Sequence, residues 1–244
     1  MTRADTLAAR LADLEQQIRG ACQRAGRPPE QVTLVAVSKR KPASDILAAR
    51  SVGQVDFGEN YAQELRDKAR ALHEAPEAAG LRWHYIGPLQ RNKVKYVVGT
   101  AALVHTVDHP KILAALEQRA VAQGVTQEVL VQVNLAEEPQ KSGVHRDELP
   151  ALLDAFADAP HAPCRGLMLM PPWDPNPEAA RPLFRRLRQL RDELAQQPRD
   201  NVRLEHLSMG MSHDFAVAIE EGATLVRVGT AIFGERDTPP PADP

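Results

Sequence analysis

Apolar positions follow two rhythms along this chain. Leu7, Leu11, Leu14 and Ile18 recur at helical spacing, and the stretch closes on Gly26-Arg27-Pro28-Pro29, which predicts one amphipathic helix followed by a breaker. From Gln31 the pattern changes. Short β-rich apolar runs (QVTLVAVSK, VDFGEN, LRWHYIG, ALVHTVD, QEVLVQVNL, CRGLMLM, RLEHLSMG and TLVRVGTAIFG) are separated by segments of helical character. Helices are expected from Ala43, Tyr61 and Leu89, and over KILAALEQRAVAQG and EAARPLFRRLRQLRDELAQQ. Strands alternating with helices imply parallel pairing through crossovers. Eight such units in 244 residues favour a closed α/β barrel of the (β/α)8 TIM type, with an extra N-terminal helix, over an open doubly wound sheet. No linker divides the chain, so residues 1–236 read as one domain and residues 237–244, in the proline-rich ending, as a disordered tail. The single apolar stripe of the first helix suits either closure of the barrel bottom or contact with a second copy, and a monomer is the expected state.

Composition narrows the partners. With 30 basic and 32 acidic side chains the formal charge is -2, so no global field favours nucleic acid or an anionic membrane. Cys22 and Cys164 stand far apart and outside any CxxC spacing, which fits a reducing compartment. The N-terminus lacks the apolar core of a signal peptide and no run approaches ~18 uninterrupted apolar residues. A cytoplasmic location is expected.

In a barrel of this kind chemistry gathers at the C-terminal ends of the strands. Lys39 follows the apolar run Leu34-Val35-Ala36-Val37, which would present its amine from a buried element into the barrel mouth, where desolvation favours attack on aldehydes. Lys39, Arg40 and Lys41 also read as a solvated basic turn. Near the other end, Arg227-Val228-Gly229-Thr230 closes the eighth strand, and its exposed N–H groups with the Thr230 hydroxyl could cradle a phosphate. Strand seven would deliver Ser208 and Ser212 to the same place. Gly229 serves equally as a plain turn, and Ser212 as the cap of a helix beginning at His213. Arg227, inward on the face of Gly229, requires a partner: Glu205 or Asp108 within the protein, or a pyridine nitrogen. Asp108 and Asn134 suit strand-end caps or the orientation of polar groups.

AVSKRKP, FGENYAQE, WHYIGPLQRNK, HTVD, VLVQVNL with QKSG, RGLMLM, LSMGMSHD and VRVGTAIFG, in this order over roughly residues 31 to 236, closely resemble the pyridoxal phosphate (PLP) homeostasis family, the bacterial YggS proteins and their eukaryotic PLP-binding counterparts. The resemblance implies a PLP barrel of fold type III, similar to the N-terminal domain of alanine racemase, with pyridoxal 5'-phosphate held as a Schiff base on Lys39. It places Arg227 at the pyridine nitrogen, Gly229, Thr230, Ser208 and Ser212 at the phosphate, and Asn60 near the ring. Tyr85 stands where the family more usually has Phe, a change expected to leave the site intact. The implied role is a carrier or buffer in vitamin B6 homeostasis that could hand PLP to apo-enzymes.

Two enzyme readings compete. Racemases of this fold use a tyrosine from a second, β-rich domain, and the short stretch after Gly234 is too small for one; the tyrosines here are Tyr61, Tyr85 and Tyr96. An aldolase-like enzyme would use Lys39 and the Gly229-Thr230 turn on a phosphorylated substrate. A metal enzyme is disfavoured, because His84, His105, His109, His206 and His213 lack HExxH or a compact Cys/His spacing. Lys41 and Lys141 are further amines, either ordinary surface lysines or transient acceptors of PLP.

Overall fold

The computed structural model describes residues 2–136 and 142–234, so Lys141 and the proline-rich tail lie outside the described residues. All eight expected strands form where the apolar runs lie. They are β1 (Thr33–Val37), β2 (Asp56–Glu59), β3 (Arg82–Tyr85), β4 (Leu103–Val107), β5 (Glu128–Asn134), β7 (Cys164–Met168), β8 (Val202–Met211) and β9 (Leu225–Val228). Each pairs in parallel with its neighbours in the order β4-β3-β2-β1-β9-β8-β7-β5, and β4 pairs with β5 to close the barrel. A two-residue strand, β6 (Val144–His145), adds to the end of β5 through Val133 and Val144. Nothing in the alternation of apolar residues marked it.

Helices α2 (Ala43–Arg50), α3 (Ala62–Leu72), α4 (Pro110–Gln123) and α6 (Arg181–Ala195) occupy the expected segments, joined by the short α5 (Leu149–Asp154) and α7 (Phe215–Glu220). The helix expected from Leu89 is instead a 3-10 turn over Arg91–Tyr96. Three β-branched valines, Val94, Val97 and Val98, are buried there, residues that favour an α-helix less, and Gly99 ends the segment in the left-handed region at φ 76°.

The first helix, α1 (Arg3–Arg24), starts on a capping box in which Thr2 and Asp5 exchange hydrogen bonds of 3.1 and 2.7 Å. Its stripe does not close the barrel bottom. Leu7, Leu11, Leu14 and Ile18 are buried on the barrel's outer wall, where α1 packs against α2, α7 and α8 (Thr230–Phe233). The physical reason lies in α8, a single turn too short to cover the β9–β1 seam; α1 takes the place of the missing crossover helix. Arg3 and Arg10 tie the two together by donating to the carbonyls of Phe233 and Ile232 at 3.0 Å.

Two apolar clusters result. The larger fills the space between strands and helices, while Val35, Leu103, Leu130, Met168 and Leu225 form a separate small layer from five different strands. Polar side chains are also buried on the strands: His84, His105, Gln132, Ser208 and Arg227. No helix of the described residues is long and apolar enough to cross a membrane.

Candidate functional site

Lys39 leaves the C-terminal end of β1 in a tight turn, and the peptide on either side of it is pinned. On one side the hydroxyl of the buried Ser38 donates to Glu59 Oε1 at 2.6 Å, and its carbonyl accepts from Lys68 Nζ at 2.7 Å. On the other, Arg40 takes the left-handed conformation at φ 60° and donates its backbone N–H to Glu64 Oε1 at 2.6 Å. Lys68 joins both sides, bonding Glu59 and Glu64 at 2.7 Å each. A charged cluster therefore holds the half-buried Lys39 in place from behind. Burial pushes the Glu59 carboxyl up to about 7 despite Lys68 beside it, and its Oε2 is buried with no partner among the described residues. The turn is not the open basic loop that Lys39, Arg40 and Lys41 suggested. Arg40 stacks over Tyr61 and donates to its hydroxyl at 2.9 Å, and Lys41 is half-buried with its N–H on the Ser38 carbonyl.

Beside this turn the strand ends enclose a cleft of about 480 Å³ lined by Asn60, Ile86, Gln132, Asn134, Trp173 and Met211, among others. Asn60 Oδ1 is buried with no partner among the described residues. Asn60 is held by its backbone: Gly87 passes so close that a β-carbon would sit 1.9 Å from the Asn60 carbonyl oxygen, and Thr106 Oγ1 fixes Gly87 by a 2.6 Å bond. Met170 and Trp173 stand exposed on the rim, so the cleft opens to solvent. A larger cleft, about 900 Å³ beside Trp83, Gly99 and Thr100, lies toward the N-terminal ends of β3 and β4 and contains none of the expected site residues.

The expected phosphate group of residues divides in two. Ser212, Gly229 and Thr230 come together, with Ser212 Oγ accepting the Gly229 N–H at 3.1 Å, while Gly229 lies against Val37, two residues before Lys39. Ser212 caps no helix. The helix begins at Phe215, and Asp214 instead accepts the Met211 N–H at 2.6 Å, closing the turn that carries Ser212. Burial raises the Asp214 carboxyl above its ordinary range.

Ser208 lies apart from that group. Wholly buried, it accepts from Arg227 Nη1 at 2.6 Å and meets His105 Nδ1 at 2.8 Å. Arg227 does not pair with Glu205 or Asp108; its second donor, Nη2, goes to the Leu169 carbonyl at 3.0 Å. Burial lowers its guanidinium to about 10, so it stays charged at neutral pH. Glu64, Lys68 and Asp214 were missed by sequence reasoning. The first two sit one helical turn apart on α3, a spacing that signals an ion pair but not that it braces another strand's lysine. The Tyr85 hydroxyl turns to the Pro88 carbonyl at 2.9 Å and does not enter the cleft wall.

Known proteins bear on this geometry. Residues 9–237 match the alanine racemase N-terminal domain family. The pyridoxal phosphate homeostasis protein of Aquifex aeolicus is 45% identical over 227 residues, 93% of this chain and 97% of the relative. PipY of Synechococcus elongatus, solved with PLP bound, is 37% identical with a TM-score of 0.81 over 93% of this chain and all of its own. The alanine racemase of Corynebacterium glutamicum, 18% identical with a TM-score of 0.61 and 60% covered, shares the fold. A sequence match that runs nearly end to end, on a closed parallel barrel with its polar groups gathered at the strand ends, has one reading: the chain belongs to the pyridoxal phosphate homeostasis proteins, within the alanine racemase N-terminal domain family.

Proposed function

We propose that this chain binds pyridoxal 5'-phosphate at the mouth of the barrel and serves PLP homeostasis as a cytoplasmic, non-enzymatic carrier, residues 1–236 forming the binding unit. The observation that carries the reading is the braced Lys39 turn set between an Asn60 oxygen that has no partner among the described residues and the Ser212-Gly229 pair. Bound there, PLP supplies an aldehyde that condenses with an amine and a ring that withdraws electrons. Lys39 supplies the amine, held in position by Ser38, Glu64 and Lys68. Ser212 and Thr230 supply hydroxyl donors for the phosphate without a cation of their own, Gly229 holding Ser212 Oγ through its N–H and leaving room for the phosphate as a residue without a side chain. Ser208 takes part as the support of Arg227 and not as a phosphate donor, because its hydroxyl is already engaged. Arg227 is charged and can only donate, so a pyridine nitrogen facing it must be unprotonated, which makes the ring a weak electron sink.

A carrier is favoured over a racemase by the wall of the cleft, which among the described residues holds no tyrosine to act as a second acid/base, and by the exposed Met170 and Trp173, which leave the ligand reachable by water and by an acceptor apo-enzyme. The test is absorbance of purified protein with added PLP, wild type against Lys39→Ala, before and after borohydride, followed by mass mapping. A visible band in wild type alone and a phosphopyridoxyl mass on Lys39 are expected. A protein that takes up no PLP would overturn the reading, and rapid racemisation of an amino acid by the loaded protein would overturn its non-enzymatic part.

A further inference from the structure

A continuous line of hydrogen bonds crosses the barrel interior behind the site. Arg227 Nη1 meets Ser208 Oγ at 2.6 Å, Ser208 Oγ meets His105 Nδ1 at 2.8 Å, His105 Nε2 meets His84 Nδ1 at 2.9 Å, and His84 Nε2 meets Asp56 Oδ1 at 2.9 Å. Asp56 in turn is gripped by Arg82 through Nε at 2.8 Å and Nη2 at 2.6 Å. Ser208, His105, His84 and Asp56 are all buried, whereas the Arg82 side chain is 59% exposed at the start of β3. The line therefore runs from solvent at the N-terminal end of the barrel to the guanidinium beneath the mouth.

Its direction follows from valence. An arginine only donates, so Ser208 Oγ accepts from Arg227 and its single proton goes to its other neighbour, His105 Nδ1. That nitrogen is then an acceptor, and the His105 proton sits on Nε2, aimed at His84 Nδ1. His84 likewise carries its proton on Nε2 and donates to the Asp56 carboxylate. Every bond then holds one proton, and both rings are neutral. The opposite polarity would bring two donors onto Ser208 Oγ and leave the serine proton, fully buried, with no acceptor among the described residues. Burial, with the charged Arg227 nearby, also holds His105 well below its ordinary range.

We infer that Asp56, His84, His105 and Ser208 form a one-way donor line that fixes the orientation of Arg227, with His105 as a positioning residue for the ligand-facing arginine. The part concerning the ligand rests on the PLP reading above. With Nη1 committed to Ser208 and Nη2 to Leu169, the guanidinium plane has a single setting, and a change at His105 reaches the ring-binding end of the site without touching it. A line ending on a distant carboxylate also leaves the arginine's charge without an ion pair among the described residues; the charged group that raises its pKa is Asp214, in the turn after the neighbouring strand β8.

The experiment begins with imidazole 15N–1H NMR of wild-type protein without PLP at neutral pH. Both His84 and His105 should carry their proton on Nε2; an Nδ1–H tautomer or an imidazolium at either ring overturns the line. Adding PLP should then move the His105 Nδ1 resonance, and an unmoved signal overturns the coupling to the site. H105Q keeps a group near the Nε2 position and loses the bond to Ser208, so it should weaken PLP binding by about tenfold, the effect of loosening one charge-assisted hydrogen bond, and shift the visible band. H105N, whose amide reaches the Nδ1 position, should restore both. Equal behaviour of the two variants overturns the positioning role. Should Lys39 carry no PLP at all, the functional reading fails while the tautomer pattern stands on its own.

Discussion

At the scale of single residues, the Lys39 turn depends on charges that never reach the ligand. Lys68 is almost fully buried between Glu59 and Glu64, so Lys68→Met strands the Glu59 carboxylate and should cost about 3 kcal/mol in urea unfolding, with a weaker visible band on PLP addition because the peptide at 38–40 is released. The Glu59 carboxyl, raised to about 7 in the folded chain, binds its proton more readily folded than unfolded. Its contribution to stability is therefore full below about 4.5 and falls away as pH rises toward about 7. Thermal melts across that window should show a negative slope that Glu59→Gln flattens; an identical slope in the variant would assign the pH dependence elsewhere. Gly210, at φ 91°, carries the turn before Ser212 with no room for a side chain, since a β-carbon would lie 2.6 Å from that of Ala218. Gly210→Ala should destabilise by at least ~2 kcal/mol and loosen PLP, read by denaturant titration and absorbance together.

Elements were legible in the sequence to different degrees, and the reasons are physical. Strands flanked by helices in a parallel barrel are buried on both faces, so they appear as continuous apolar runs, and all eight could be placed. The same double burial hides which residues point inward. His84 and His105 could therefore be weighed only as metal ligands, and their contact emerged from the pairing of β3 with β4. Lys39 and the Ser212-Gly229-Thr230 group stood at strand ends and could be picked out, whereas the engagement of Ser208 with Arg227 depended on which face of β8 turned inward. The stripe of α1 was legible but its seat was not, because the shortness of α8 that opens the seat is a property of the finished barrel. If α1 is part of the wall, Leu7→Ala should cost about 3 kcal/mol in equilibrium unfolding, as for any fully buried leucine; a near-zero cost would make it an appendage.

On the scale of the whole molecule, the barrel has two ends with separate tasks. Trp173 stands on the rim of the site cleft, 76% exposed, and Trp83 is buried toward the opposite end. PLP added to wild type should quench the emission, and Trp173→Phe should remove most of that quench; an unchanged quench would mean the ligand sits away from the mouth. The wall itself sets an order of events during biosynthesis. Helix α1 leaves the ribosome before every strand of the barrel, yet two of the helices it packs on, α7 and α8, come only after β8 and β9. Its apolar stripe must wait through the synthesis of every barrel strand before its seat exists, which leaves a sticky face on the nascent chain for a chaperone to hold.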